Sequence, residues 1–178
     1  MAALTSRLAG AADIPALEAI MDAAIAELQR GFLSPAQITA SRTIMGLDRQ
    51  LIADGTYFVV EDAGVIAGCG GWSRRATLYG GDHTPGRDPE LLDPAGDAAR
   101  VRAMYTHPDF ARRGVGRLIL QLCEDAARAE GFKRLELMGT MSGRPLYESY
   151  GFLALEDIVD DRGGEPVPLT RMGKAIPT

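Results

Sequence analysis

The chain has 178 residues, the size of one ordinary domain. Hydrophobic residues make up 46% and charged residues 24%, a composition typical of a globular protein with a substantial core. The net charge of −5 argues against nucleic acid as the main partner, because nucleic-acid-binding domains usually carry a basic surface.

Neither a signal peptide nor a membrane span is predicted. The N-terminal stretch MAALTSRLAGAAD has no apolar run long enough for a signal peptide, and no segment approaches the ~20 apolar residues of a membrane-spanning helix. Cys69 and Cys123 show no disulfide or metal-ligand spacing, so we expect two small buried hydrophobic residues in a reducing compartment. The predicted location is the cytoplasm, without a membrane partner.

The N-terminal third predicts one strand followed by two helices. Residues 5–9 favour a short strand, and Asp13 with Pro15 marks the start of the first helix. Residues 34–37, Ser-Pro-Ala-Gln, form a capping-box pattern with proline at the first helical position. The second helix is predicted to run on from this box until residues 54–55, Asp-Gly, end it.

A hairpin and a long loop follow. Residues 56–72 predict two strands around a tight turn at 62–64. Three glycines inside the second strand, Gly68, Gly70 and Gly71, indicate a bulge or a surface that another group approaches closely. Residues 76–98 are rich in proline, glycine and aspartate and are predicted to be a loop; loops of this length are often functional or disordered.

The remaining elements complete a mixed sheet. Residues 99–106 predict a strand that stops at His107-Pro108, and an amphipathic helix follows as far as Gly131. Then come a strand at 133–139, a short helix ending at Gly151, and strands at 152–157 and 167–174. The order β-α-α-β-β-β-α-β-α-β-β predicts one α/β (α+β) domain over residues 1–178, with a central mixed sheet flanked by helices.

The segment between the strand at 99–106 and the next helix has the features of an anion site. The first turn of a helix presents unpaired N–H groups and the positive end of the helix dipole. Glycine at two positions there is expected to let a phosphate reach the backbone, and nearby arginines add positive charge. The candidate residues are Arg112, Arg113, Gly114, Val115, Gly116 and Arg117. A helix start with solvated arginines explains the same pattern.

Two common phosphate-binding motifs do not fit this segment. A Walker A loop requires a lysine that is missing here, and a dinucleotide fingerprint requires a third glycine where the chain has Ile119.

The segment and its surroundings resemble the GNAT superfamily of acyl-CoA-dependent N-acetyltransferases. The family's turn, Q/R-x-x-G-x-G/A after a strand, corresponds to residues 111–116, Ala-Arg-Arg-Gly-Val-Gly. Its later signature, Y-x-x-x-G-F, corresponds to residues 147–152, Tyr-Glu-Ser-Tyr-Gly-Phe. The chain departs from the family at Ala111, where Gln or Arg is usual, and at Thr140, where the family often has a cofactor-binding Asn.

The resemblance implies a cofactor and a mechanism. The pyrophosphate of acetyl-CoA is expected on the N–H groups of Arg113 to Arg117, with Thr140 as an additional contact. The pantetheine arm is expected beside Met104, Tyr105 and Thr106, where a backbone N–H polarises the thioester carbonyl. Tyr147 is expected to act as general acid toward the departing thiolate, the alternative being an amphipathic core tyrosine; the neighbouring Tyr150 is assigned to packing. No metal is required.

The general base is left open. The strand at 99–106 contains no acid. The candidates are Glu61, Asp97, Glu136, His107 and a water relay.

The acceptor is left open as well. Its specificity is expected from three variable segments, 31–35, 76–98 and 157–166. If the strands ending at 72–75 and beginning at 99–102 pair antiparallel, an arginine cluster forms beside an aromatic ring and suits a carboxylate or phosphate. Its members are Trp72, Arg74, Arg75, Arg100 and Arg102. Alternatively these arginines balance Asp82, Asp88, Asp93 and Asp97, and the net charge favours a polyamine, an aminoglycoside or a protein lysine.

The resemblance therefore implies an N-acetyltransferase that moves an acetyl group from acetyl-CoA to a primary amine of a small molecule, by direct attack in a ternary complex. The alternatives are a non-catalytic acyl-CoA-binding or regulatory module on the same fold, and a binder of another phosphate ligand. Homodimers are common in the family.

Overall fold

One mixed sheet organises the protein, as seen in a computed structural model that describes residues 3–178. The sheet has seven strands in the order β1-β2-β3-β4-β5-β7-β6. The strands are β1 (Leu4–Leu8), β2 (Tyr57–Asp62), β3 (Val65–Ser73), β4 (Ala99–Thr106), β5 (Arg134–Thr140), β6 (Leu153–Asp160) and β7 (Val167–Ala175). Neighbouring strands are antiparallel, apart from the parallel pair β4 and β5. The predicted mixed α/β architecture is confirmed.

Helices cover both faces of this sheet. They are α1 (Ile14–Glu27), α2 (Pro35–Ser41), α3 (Arg49–Ala53), α4 (Val115–Ala129) and α5 (Arg144–Tyr150). Strand alternation divides the core: Tyr57 and Val59 of β2 pack with α1 and α3, whereas Val60 packs with α4 on the opposite face. The two cysteines are free and fully buried, one in each of these clusters, as predicted.

The predicted second helix is wrong in one respect, because it is divided into α2 and α3. The capping box at its start is present: Gln37 N–H donates to Ser34 Oγ, and the Gln37 side chain accepts from the Ser34 amide. The helix ends at Ser41, and Gly46 then adopts a φ of +137°, which does not fit a right-handed helix. Asp48 caps a new helix by accepting from the Gln50 amide at 3.0 Å.

The predicted 76–98 loop is an ordered excursion. Its two arms are joined by backbone hydrogen bonds, from Ala76 N–H to Glu90 O and from Leu92 N–H to Arg74 O. Its tip is attached to the segment between α2 and α3, where Asp82 N–H donates to Leu47 O at 2.8 Å. Across the described part of the chain, no helix is long and apolar enough to cross a membrane.

The parallel pairing of β4 and β5 is short. It comprises Ala99 with Leu135 and Arg100 with Glu136, after which the two strands diverge. A bulge in β4 lies just beyond: Cys69 is opposite Tyr105, but Gly71 is opposite Arg102, so β4 holds one extra residue there. The two strands therefore leave a V-shaped opening at their C-terminal ends.

The glycines of β3 allow α4 to pack close to the sheet. A methyl group on Gly68 would lie 2.5 Å from Val115 Cγ1 and 2.9 Å from the Tyr105 carbonyl oxygen. On Gly70 it would lie 2.7 Å from Ile119 Cγ2. Both parts of the glycine prediction are confirmed, since β3 holds an extra residue, Ala67, where it pairs with β2, and α4 is the group that approaches Gly68 and Gly70 closely.

We predict that Gly68→Ala lowers the free energy of unfolding by about 1–3 kcal/mol, because the methyl group overpacks against a carbonyl oxygen and the first residue of α4. Urea denaturation measures this change. Gly96→Ala is the matched control, since an added methyl group there meets no atom within 4 Å. Equal midpoints for the two variants would contradict the close packing.

Candidate active site

The opening between β4 and β5 forms a cleft with roughly 640 Å³ of space that is partly open to solvent. Two loop segments complete its walls, Ile44–Gly46 between α2 and α3 and Leu78–Gly80 of the 76–98 excursion. The strand and helix residues that line it are Val101, Arg102, Ala103, Met104, Tyr105, Leu137, Met138, Thr140, Tyr147 and Leu169.

Two buried tyrosines fix the floor of the cleft. Ala103, in the bulge, has a left-handed φ of +50°, and its carbonyl oxygen accepts a 2.6 Å hydrogen bond from the Tyr57 hydroxyl. The Tyr105 hydroxyl accepts from the Gly46 amide at 2.8 Å and so joins β4 to the segment between α2 and α3. Burial raises the pKa of both phenols, so both stay protonated at neutral pH.

Beyond its short pairing with β5, one edge of β4 has no neighbouring strand. His107 N–H donates to Ala67 O of β3, and the Tyr105 carbonyl oxygen also lies on that side, next to Gly68. Backbone groups alternate along a strand, so those of Met104 and Thr106 face the cleft. Of the three predicted residues, Tyr105 thus directs its backbone toward β3, while the other two present theirs to the opening.

The predicted anion-binding turn follows β4 after a single turn of 3-10 helix, Pro108–Phe110. Arg112 and Gly114 have left-handed φ values of +63° and +86°, and α4 begins with the bond from Leu118 N–H to Gly114 O. The backbone N–H groups of residues 112–117 have no acceptor within the part of the chain that is described. They form the set of free donors that an anion requires.

The two glycines of this turn have different roles. Gly114 borders open space, in keeping with an approach to the backbone. A methyl group on Gly116 would instead lie 2.5 Å from Leu146 Cδ2, so Gly116 allows α4 to pack against α5. The expectation that both glycines clear a path for phosphate is therefore wrong for Gly116.

The arginines of the turn are partly engaged. Arg113 lies 3.4 Å from Asp62 and over the ring of Phe110. Arg117 lies over the ring of Tyr150.

Tyr147 lies on the wall of the cleft. Its side chain is half-buried, and its hydroxyl has no hydrogen-bond partner among residues 3–178. Burial raises the pKa of Tyr147 to about 12, so the phenol holds its proton at neutral pH. Tyr150 differs, because its hydroxyl donates to Glu124 Oε2 at 2.6 Å, away from the cleft.

Thr140 shapes the end of β5. Its Oγ1 accepts from the Gly143 amide at 3.1 Å and lies 3.3 Å from Ser142 Oγ. The hydroxyl therefore organises the turn before α5, and the residue also lines the cleft.

The candidate bases lie elsewhere. Glu61 pairs with Arg7, Glu136 with Arg100 and Arg171, and His107 accepts the Asp109 amide. Asp97 is exposed and accepts the Asp93 amide. The residues that line the cleft, all within the described part of the chain, include no aspartate, glutamate or histidine.

The antiparallel pairing expected for the arginine cluster is confirmed, with Ser73 opposite Arg100. Each arginine has its own acidic partner, however, and these partners differ from the four loop aspartates of the alternative explanation. The pairs are Arg74–Glu130, Arg75–Asp54, Arg100–Glu136 and Arg102–Asp48. Trp72 is buried in the core against Phe132, and only Arg102 of the predicted acceptor residues lines the cleft.

One wall of the cleft was not predicted, because the sequence pattern predicts a continuous helix through Ile44–Gly46. Leu78–Gly80 belong to the 76–98 segment, one of the three from which acceptor specificity is expected, and this segment does line the cleft. The segments 31–35 and 157–166, which were expected to select the acceptor, do not line this cleft.

Comparison with known proteins identifies the family. The sequence profile of the acetyltransferase (GNAT) family matches residues 19–152. The chain belongs to the GNAT acetyltransferase family. YsnE, an uncharacterized N-acetyltransferase of Bacillus subtilis strain 168, is 26% identical over 121 residues, which cover 65% of this GNAT chain and 68% of that protein.

Solved GNAT structures share the fold. A GCN5-related N-acetyltransferase from Rhodopseudomonas palustris has a TM-score of 0.68 at 22% identity, over 98% of this chain and 96% of that one. YncA from Salmonella typhimurium, solved with its cofactor acetyl-CoA, has a TM-score of 0.64 at 21% identity, over 98% and 95% of the two chains. Both signatures noted in the sequence lie within the matched residues 19–152.

We predict that Tyr57→Phe lowers the free energy of unfolding by about 1–3 kcal/mol, because the buried Ala103 carbonyl loses its donor. Chemical denaturation of this variant of the GNAT protein measures the effect. Tyr147→Phe is the control, since it removes a hydroxyl that has no partner in the structure. Similar losses in both variants would mean that the bond to the bulge does not stabilise the fold.

Proposed function

We propose that this GNAT protein is an N-acetyltransferase that moves an acetyl group from acetyl-CoA to a primary amine of a small molecule. One observation carries the proposal: the turn with free amides, the open edge of β4 and the Tyr147 hydroxyl all border one cleft or its entrance. Since β4 and β5 are parallel, their C-terminal ends lie at the same end of the sheet, and the turn and α5 follow from there.

The proposed cofactor fits the residues that are present. The free N–H groups of residues 112–117 suit a pyrophosphate, and the exposed Arg112 adds positive charge. The amide-like pantetheine arm can pair with the backbone of Met104 and Thr106, which has no strand beside it. The structure of YncA with acetyl-CoA supports this choice by analogy of fold.

The chemistry follows from these positions. Acetyl-CoA supplies the activated acetyl group as a thioester. An amide on the open edge of β4 holds the carbonyl oxygen and favours the charge that develops there, a contribution of roughly 3 kcal/mol for one such donor. The neutral amine attacks directly in a ternary complex, and Tyr147 donates its proton to the departing thiolate. A phenol whose pKa is about 12 is protonated at neutral pH and is able to serve as this acid.

Removal of the amine proton is assigned to water. No carboxylate or imidazole lines the cleft within residues 3–178, so a solvent relay is the base that the geometry supports best. Cytoplasmic location and homodimer formation stay predictions.

The lack of a carboxylate or imidazole among the described residues that line the cleft favours a second candidate function. A cleft without a base also suits a non-catalytic acyl-CoA-binding or regulatory module. Such a module binds acetyl-CoA but transfers no acetyl group.

Calorimetric titration with acetyl-CoA tests the cofactor site. Gly114→Asp is expected to weaken binding by about 10- to 100-fold relative to Gly114→Asn, because only the aspartate places negative charge beside the proposed pyrophosphate. The two variants share the same shape and the same left-handed backbone. Equal affinities would move the cofactor away from this turn, and no binding by the unmodified protein would exclude the proposed function.

Tyr147→Phe tests the acid and separates the two functions. In an acetyltransferase the variant is expected to lose about 10²- to 10⁴-fold in kcat with unchanged affinity for acetyl-CoA. Tyr150→Phe is the matched control and should retain the rate, since the Tyr150 hydroxyl donates its hydrogen bond to Glu124. Thiol release in an amine screen gives the rates. Acetyl-CoA binding without turnover on any amine would favour the non-catalytic module.

A further inference from the structure

Arg102 is a buried cation with unused donors. Its side chain is 2% exposed, yet it lines the cleft that holds Tyr147. Its Nη2 donates to Asp48 Oδ2 at 2.9 Å and to the Gly80 carbonyl at 2.6 Å. Nε and Nη1 donate to no group within residues 3–178.

These two nitrogens are not sealed inside the protein. Within the described residues, Gln29 Oε1 is the one side-chain atom that is both fully buried and without a partner. The free donors of Arg102 therefore border open space. Arg102 lies between the cleft and a second, polar cavity, beneath the 76–98 excursion, which Arg87 also lines.

Among the described residues, Asp48 is the one acid that pairs with Arg102. Asp48 is 3% exposed and serves two guanidinium groups, Arg102 at 2.9 Å and Arg87 at 2.8 Å. Arg87 also lies 3.9 Å from Asp82, and Arg49 pairs with Asp82 at 2.6 Å and with Glu18 at 3.5 Å, so the wider network holds as many acids as arginines. Asp48 is thus shared between two arginines, and the buried guanidinium of Arg102 keeps donors that need a further acceptor.

The rest of the cleft is largely apolar. Its walls carry Ile44, Met45, Leu78, Val101, Leu137, Met138 and Leu169. A ligand that satisfies this surface needs an anionic group at Arg102 and an apolar group beside it. A polyamine or an aminoglycoside would bring positive charge next to the Arg102 guanidinium and would offer its free N–H groups no anionic acceptor.

We propose that the acceptor is an amine that carries a compact anionic group, a carboxylate, together with an apolar side chain, and that Arg102 binds the carboxylate. This inference rests on the proposed acetyltransferase function and names the substrate class of the same cleft. The class is that of apolar amino acids. Arg102 is then a specificity-determining residue, with Asp48 holding its guanidinium in place.

The test compares amines that differ in the carboxylate alone. Acetylation of L-leucine, L-leucinamide and 3-methylbutylamine is measured with the unmodified protein and with Arg102→Met. Phosphoethanolamine and ethanolamine form a second pair, which distinguishes a phosphate from a carboxylate. The proposal predicts that leucine exceeds leucinamide in kcat/KM by about 10- to 100-fold, and that Arg102→Met abolishes this preference.

Two further variants keep the test interpretable. Arg100→Met removes an ion-paired arginine from the same strand outside the cleft, and it should leave the preference intact. Arg102→Lys retains the charge beside Asp48 but has fewer donors, so an intermediate preference is expected. If Arg102→Met fails to fold, the lysine variant carries the comparison.

The outcomes separate the two proposals. Three results would overturn the inference and leave the acetyltransferase function standing. They are equal use of leucine, leucinamide and 3-methylbutylamine, a preference that survives Arg102→Met, and a preference confined to the phosphate pair. If no amine is acetylated, calorimetry of leucine with the protein and CoA decides. Binding that Arg102→Met abolishes supports the site, and absence of binding overturns it. Failure of acetyl-CoA itself to bind overturns the proposed function and the inference together.

Discussion

The bulge in β4 is the constraint on which the site depends. One extra residue places Ala103 in a left-handed conformation and separates β4 from β5 after two paired positions. If β4 and β5 stayed paired along their whole length, there would be no cleft between them and no open strand edge. The bond from the Tyr57 hydroxyl to the Ala103 carbonyl keeps this irregular backbone satisfied inside the core. A buried aromatic residue on β2 therefore stabilises the opening two strands away.

The two ends of the cleft differ in the groups that supply hydrogen-bond donors and positive charge. At the entrance, the donors are mainly backbone N–H groups, because the side chains of Arg113 and Arg117 are occupied by Asp62 and by aromatic rings. Deeper in the cleft, the guanidinium of Arg102 is paired with the buried carboxylate of Asp48. Most other arginines near the site are neutralised by acids outside it. The net negative charge of the chain is thus a poor guide to the local field that a ligand meets.

Much of the fold could be predicted from the sequence, because strands and helices here follow clear patterns of polar and apolar residues. Strand 99–106 matches β4, and both signatures fall where the resemblance implies. The division of the second helix was missed, since apolar spacing continues through Ile44 and Leu47 while the break depends on one glycine torsion and one cap. The cleft wall at 44–46 was missed, and the sequence did not show which part of the 76–98 segment meets it, because the two walls come together through contacts between distant segments. Gly116 shows a similar limit: the sequence reveals a missing side chain but does not reveal which neighbour requires it to be missing.

The contact between Gly116 and Leu146 links the two signatures of the family. The first turn of α4 rests directly on α5, the helix that carries Tyr147. The spacing between the free amides of the 112–117 turn and the Tyr147 phenol is consequently set by a contact between helices, largely independent of the loops that form the other walls. Those loops are able to change while the spacing of α4 and α5 stays constant. For the proposed acetyltransferase, this means that the acceptor can change without realignment of the cofactor turn and Tyr147.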